Sequence, residues 1–165
     1  MIAPRGIAAG KTEKADGMKV LLAIDDSKCS EAAMQTVIEQ GHAKETEVRV
    51  LHIVEPPSLL VARDMGANDS KLENVWEEEM KQGQVLVEKA AEKLRAHGMK
   101  VSTDVQQGDP KMMIIDESKK WHSDLIVVGS HGKKALDRYL MGSVSDTIAR
   151  QAQCSVEIVR IPAHR

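Results

Sequence analysis

Gly129-Ser130-His131-Gly132, followed after nine residues by Gly142-Ser143, is the stretch of this chain whose residue types and spacing best suit a defined chemistry. It follows directly on the apolar run Leu125-Ile126-Val127-Val128, so it reads as a strand emptying into a loop. Glycine at 129 and 132 permits positive φ and leaves no Cβ between backbone and ligand. Gly142-Ser143 stands just before a helical pattern whose free N–H groups attract an anion. The chemistry implied is the holding of phosphate, and a nucleotide pocket is the leading expectation.

Other reactive residue types are dispersed. His42, His52, His97, His122, His131 and His164 show no HxxxH or HxH spacing, so no metal site is expected. His131 alone lies inside the glycine block, where it either contacts phosphate or ribose or faces solvent. His52 reads as a packed, partly buried histidine. Cys29 and Cys154 form no CxxC pair and no disulfide framework; they read as small packing residues in a reducing, cytoplasmic setting. There is no GxxxxGK[ST] loop, hence no lysine set on the β/γ-phosphates, and no evident base to activate water. No catalytic residue is assigned, and any hydrolysis is expected to be slow.

Composition bounds the setting. A chain of 165 residues suits one domain, and a net charge of -2 gives no basic footprint for nucleic acid. Aromatics are limited to Trp76, Trp121 and Tyr139, so the core must be aliphatic. No apolar stretch approaches membrane-spanning length. Met1 to Gly17, without periodicity, reads as a flexible leader, with the folded domain over residues 18–165.

The elements that must position the glycine block alternate between apolar runs and helical patterns, as in βα units on a parallel sheet. Lys19 to Ile24 is the first strand, and Asp25-Asp26-Ser27 supplies a turn and helix N-cap. Ala32, Ala33, Val37 and Ile38 mark a helix ending near Gly41. Val48 to Val54 is the second strand, broken by Pro56-Pro57 and followed by a variable loop through Gly66-Ala67-Asn68-Asp69. Trp76, Met80, Val87, Ala90, Ala91 and Leu94 space out a long amphipathic helix, closed by His97-Gly98. Its charge-rich Glu73 to Lys93 is a solvated face, and Trp76 either covers the pocket or meets a partner. Lys100 to Val105 is the third strand, and Gly108-Asp109-Pro110 starts a third helix with Met112, Met113, Ile114 and Ile115. Leu125 to Val128, a helix from about Ser143 to Ala152, and Val156 to Val159 complete the series.

Five strands and four helices imply an α/β fold, Rossmann-like or flavodoxin-like. Its doubly wound parallel sheet is expected in the order 3-2-1-4-5, with helices on both faces. Ligands then bind beyond the C-terminal strand ends where strand order reverses, between strands one and four. Asp25 and Gly129 end those strands. Asp25 is expected to face the crevice as a ligand; Asp26 serves equally well as a cap.

Together, the GxxG, nine residues and G[ST] of Gly129, Gly132, Gly142 and Ser143 resemble the signature of the ATP-binding branch of the universal stress protein family. Ala23-Ile24-Asp25 with its Ser27-led helix, Leu51-His52-Ile53-Val54 and Val156-Glu157-Ile158-Val159 agree with it over residues 18–162. The resemblance implies that Ala23, Ile24 and Asp25 meet the nucleoside and that Ile53 gives adenine a backbone contact. It implies that Gly129, Ser130, His131 and Gly132 wrap ribose and phosphates, while Gly142, Ser143, Val144 and Ser145 hold the phosphate chain with N–H and hydroxyl donors. Lys133, Lys134 and Arg138 could add charge. ATP would bring Mg²⁺ or Mn²⁺, bound mainly through phosphate oxygens and water. Family members commonly pair the last strand with its copy, which implies a homodimer.

Three other classes compete. A flavodoxin-like electron carrier needs planar aromatic surface that three aromatics scarcely provide. A phosphoacceptor receiver domain would use Asp25-Asp26 for magnesium, but offers Gln106-Gln107 and Arg160 where it needs an aspartate and a lysine. A stress protein working only through protein contacts usually lacks the full glycine signature. The expected role is therefore a nucleotide-dependent signalling protein of the stress response.

Overall fold

Short runs of Val, Leu and Ile buried on both faces build the centre of the molecule. The computed structural model describes residues 17–41, 45–64, 66, 68–133 and 141–161. The expected leader before Gly17, and His42, Ala67, Lys134, Arg138, Tyr139 and His164, lie outside them. The strands are β1 (Met18–Ala23), β2 (Thr46–Val54), β3 (Lys100–Gln107), β4 (Leu125–Gly129) and β5 (Ser155–Val159). All their pairings are parallel, in the order β3-β2-β1-β4-β5, as the alternation of elements implied.

The helices are α1 (Lys28–Gln40), α2 (Leu59–Asp64), α3 (Asp69–Ala96), α4 (Pro110–Trp121) and α5 (Ser143–Gln151). Four helices were expected, and α2 is the addition. Its six residues follow Pro56-Pro57, and the Ala62 N–H closes its first turn on the Ser58 carbonyl at 3.0 Å. A helix shorter than two turns leaves too little periodicity to read in a sequence. Elsewhere the caps are those expected: Ser27 on α1, Asp109 with Pro110 at the start of α4, and Gly98 at positive φ just past α3.

Alternate residues of β1 supply two cores. Val20, Leu22 and Ile24 pack with Ala33, Met34 and Val37 of α1 and Val87, Ala90 and Leu94 of α3. Leu21 and Ala23 pack with Ile114, Ile115 and Trp121 of α4 and Ile148 of α5. At about 1.5–3 kcal/mol for each fully buried aliphatic side chain, these layers fix the sheet and hence the loops at its edge. On the second face the Trp121 ring lies 4.7 Å from the Arg49 guanidinium, which pairs with the buried Glu117 at 2.6 Å. Gln106 donates to the other Glu117 oxygen at 3.1 Å, so this buried carboxylate is partnered on both sides.

Helix α3 has 28 residues, roughly 42 Å at 1.5 Å per residue, and overruns the sheet. From Gly83 onward its inner stripe is buried, whereas Trp76 and Met80 remain half-exposed and line a groove with Gln107 at the end of β3. Lower on the same helix Thr103 donates to Glu88 at 2.6 Å, and this hydrogen bond, with Arg95 adding to it, holds the Glu88 carboxyl below its ordinary pKa. Among the described residues no helix is long and apolar enough to cross a membrane.

Candidate functional site

Strand order reverses between β1 and β4, and the loops leaving these two strands meet at the C-terminal edge of the sheet. After Ala23 the chain adds Ile24, whose N–H still donates to the Leu51 carbonyl of β2 at 2.9 Å, and then turns at Asp25. Asp25 N–H donates to the Ser30 hydroxyl at 2.8 Å, and that hydroxyl donates back to Asp25 Oδ1 at 2.7 Å. The second oxygen, Oδ2, accepts the Lys133 backbone N–H at 2.8 Å. Both carboxylate oxygens thus have partners, and Asp25 ties the glycine loop after β4 to the start of α1. Asp26 points outward, with Lys133 Nζ 3.7 Å away and both side chains largely exposed, a pair worth little.

The glycines serve a purpose the sequence did not disclose. Positive φ occurs among the described residues at Gly66, Gly98, Gly108 and His122, and at none of Gly129, Gly132 or Gly142. What these three need is room. A Cβ on Gly129 would lie 2.7 Å from Cys29 Cβ and 2.8 Å from the Cys29 carbonyl carbon, in the first turn of α1. One on Gly132 would stand 2.9 Å from Asp25 Oδ2, and one on Gly142 would stand 2.9 Å from the Ser130 carbonyl oxygen. Both separations are tighter than van der Waals contact allows. Each glycine of the signature thus sits against protein: Gly129 against α1, Gly132 against the Asp25 turn and Gly142 against Ser130 of the signature itself.

Ser130 closes the loop. It is fully buried, its N–H donates to the Val159 carbonyl of β5 at 2.8 Å, and its own carbonyl accepts the Gly142 N–H at 2.8 Å. The same carbonyl accepts the Ser145 hydroxyl at 3.0 Å, which also reaches the Gly142 carbonyl at 3.0 Å. Ser145 is buried, so its hydroxyl acts inside the loop, while Ser143 is exposed. The Ser130 hydroxyl lies 2.9 Å from His131 Nδ1.

Helix α5 begins at Gly142, which has no side chain to cap it. The first intrahelical bond runs from Asp146 N–H to the Gly142 carbonyl, and no described group accepts from the N–H of Ser143, Val144 or Ser145. These three amides carry the positive end of the helix dipole. The one acidic residue of that turn, Asp146, is engaged by Arg150 at 3.0 Å. Across the crevice stand Ala23, Ile24 and Ile53. The side chains of Ala23 and Ile53 are buried on the α4–α5 face, which leaves backbone as what they present at the edge.

Two further contributors escaped the sequence reading, Ser30 and the hydrogen-bonding side of His52. Ser30 sits three residues after the Ser27 cap, where a capping box would put a glutamate; that spacing was its available signal. His52 is partly buried, as expected, and its Nδ1 lies 2.8 Å from the Ile24 carbonyl oxygen. Cys29 packs under Gly129 with its sulfur 3.8 Å from the Ser130 hydroxyl. Among the described residues no group of three or more His, Cys, Asp or Glu is placed so that it could hold a metal ion.

A doubly wound domain with a glycine loop and an uncapped helix N-terminus at its switch point is the class these features define. The model of the Universal stress protein family matches residues 18–160, and the chain belongs to that family. Universal stress protein YxiE of Bacillus subtilis is 29% identical over 145 residues, covering 86% of this chain and 98% of the relative. Among solved structures, universal stress protein UspA from Lactobacillus plantarum superposes with a TM-score of 0.73 at 21% identity, covering 88% of this chain and 99% of that one. A family member from Arabidopsis thaliana, solved with AMP bound, gives a TM-score of 0.64 at 19% identity, covering 88% and 93%. Further members with the same fold were solved in complex with cAMP and with dAMP.

Proposed function

We propose that this universal stress protein binds ATP at the β1–β4 switch point and acts as a nucleotide-dependent signalling protein of the stress response. The observation that carries the reading is the start of α5: three amides without partners among the described residues, an N-cap that is glycine, and a Gly142–Ser130 hydrogen bond that fixes this turn to the end of β4. Such an arrangement attracts phosphate. Solved family members that carry AMP, cAMP or dAMP support an adenine nucleotide as the ligand class. Ala23, Ile24, Asp25 and Ile53 would border the nucleoside and Gly129, Ser130, His131 and Gly132 the ribose and phosphates; Gly142, its own N–H given to Ser130, would leave room for the phosphate chain, which Ser143, Val144 and Ser145 would hold through their backbone N–H groups. A divalent cation, Mg²⁺ or Mn²⁺, would be held mainly by phosphate oxygens and water. With no P-loop lysine, hydrolysis would be slow at most.

The homodimer implied by the family resemblance belongs to the same proposal. Strand β5 pairs only with β4 among the described residues, and its side chains from Val156 to Val159 are half-buried, leaving a sheet edge open to a second copy. Sedimentation of the purified protein measures this directly.

Mass spectrometry of small molecules released by denaturing freshly purified protein, followed by calorimetric titration with ATP and ADP, tests the ligand. An adenine nucleotide in the released fraction, or heat on titration, is expected. Protein that carries no nucleotide and gives no heat with either would sink the reading and leave a stress protein that works through protein contacts.

A further inference from the structure

His52 interrupts the ladder between β1 and β2, and that interruption bears on the ligand. In a parallel ladder successive residues of one strand direct their N–H and C=O groups to opposite neighbours. Gly108 N–H donates to the Val54 carbonyl at 3.0 Å, so the backbone of Val54 faces β3. That of Ile53 therefore faces β1. Ile24 N–H already donates to Leu51, and the next bond of the ladder would run from Ile53 N–H to the Ile24 carbonyl. That bond is absent. The Ile24 carbonyl instead lies 2.8 Å from His52 Nδ1, which must carry the proton because a carbonyl can only accept. The imidazole reaches it because Gly83 of α3 leaves space: a Cβ there would stand 2.8 Å from His52 Cδ2.

We propose that His52 is a positioning residue: its Nδ1–H takes the acceptor that Ile53 N–H would otherwise use, leaving the Ile53 N–H and C=O directed into the crevice for the base of the ligand. One backbone donor beside one backbone acceptor matches a heterocycle with a ring nitrogen next to an exocyclic amine, the pattern of adenine. This assignment rests on the nucleotide reading for its ligand, but the freed Ile53 amide is a property of the protein's own backbone.

The test uses the full chain with two donor-free variants, His52→Leu and His52→Ala, and one that keeps a donor, His52→Asn. The Asn side-chain nitrogen stands the same number of bonds from Cα as Nδ1. Amide hydrogen exchange followed by NMR without ligand should show Ile53 exchanging quickly in the parent and in His52→Asn. In the donor-free variants it should slow as the bond to Ile24 closes. Calorimetry with ATP and with inorganic tripolyphosphate should then show the donor-free variants losing about tenfold in ATP affinity, the worth of one hydrogen bond, with tripolyphosphate unaffected. Equal Ile53 exchange in all forms that fold overturns the role of His52, and so does equal loss for ATP and tripolyphosphate. Exchange as expected, with no form binding ATP, overturns the nucleotide reading instead and upholds the role of His52 in the ladder.

Discussion

Two helices start at the same edge of the sheet, and they end their backbones in opposite ways. At α1 the Ser27 hydroxyl accepts the Ser30 N–H at 3.1 Å, and Asp25, Asp26 and Glu31 surround the turn with negative charge. At α5 the cap is Gly142, the first three amides have no described acceptor, and Asp146 is engaged by Arg150. Both carry the same dipole. The first satisfies part of it with its own side chains and surrounds it with negative charge; the second leaves it without an acceptor among the described residues. On the proposed reading, which of two like helix ends takes an anion is decided by the few side chains around the cap and not by the fold that places them.

The largest expected break in this contrast comes from Gly142→Asp. The new carboxylate caps α5 from within and places a negative charge where phosphate would sit, and its Cβ crowds the Ser130 carbonyl. Titration calorimetry should show ATP affinity falling on the order of 100-fold. Retained affinity would mean that phosphate is held elsewhere. Gly129→Ala should act on stability, because its Cβ meets Cys29 in the first turn of α1. Thermal or urea denaturation should report a loss of about 2 kcal/mol as α1 is pushed off β4. A stability equal to the parent's would remove close packing as the reason for that glycine.

Ser27→Ala sharpens the comparison from the other side. It uncaps α1 and should cost about 1 kcal/mol in urea denaturation, yet ATP affinity should stay within roughly twofold, since the acidic residues still exclude anions there. A new anion-binding event at α1 would show that the cap, and not the charge, had been the barrier.

The smallest effect is a reference remote from both helix ends. Glu88 is held below its ordinary pKa in the folded state, chiefly by Thr103. Its contribution is therefore fully present above the unfolded pKa and is lost as the pH falls through the folded one. Thr103→Val should lower stability slightly near neutrality and match the parent once Glu88 is protonated. Urea midpoints from about pH 7 to about pH 3 read this directly. A gap between the two proteins that widens toward low pH would contradict it.

Strand order and the helix pattern were legible because aliphatic runs such as Leu125 to Val128 and caps such as Ser27 and Asp109 are local signals. Helix α2 was not, since six residues after two prolines carry no periodicity. At the site the glycine spacing was legible but its reason was not. Asp25 lies 107 residues before Gly132 and Cys29 lies 100 before Gly129, and neither contact leaves a local trace. His52 was recognised as packed, whereas its partner is a backbone carbonyl 28 positions away, and a side chain's choice of backbone acceptor is set by the register of β1 and β2. Ser30 was hidden for a related reason: serine near a helix start reads as a cap, and here its hydroxyl turns to Asp25 in the turn after β1.

The hydrogen bond from Gly142 to the Ser130 carbonyl fastens together two points twelve residues apart. The turn that starts α5 is thereby fixed to the end of β4 by a bond of its own. A longer intervening segment would add only loop-closure entropy, about 0.6 kcal/mol for a doubling in length, while the turn keeps its shape. Beyond Lys133, whose N–H still holds Asp25, that span is the natural place to graft a reporter or a recognition peptide.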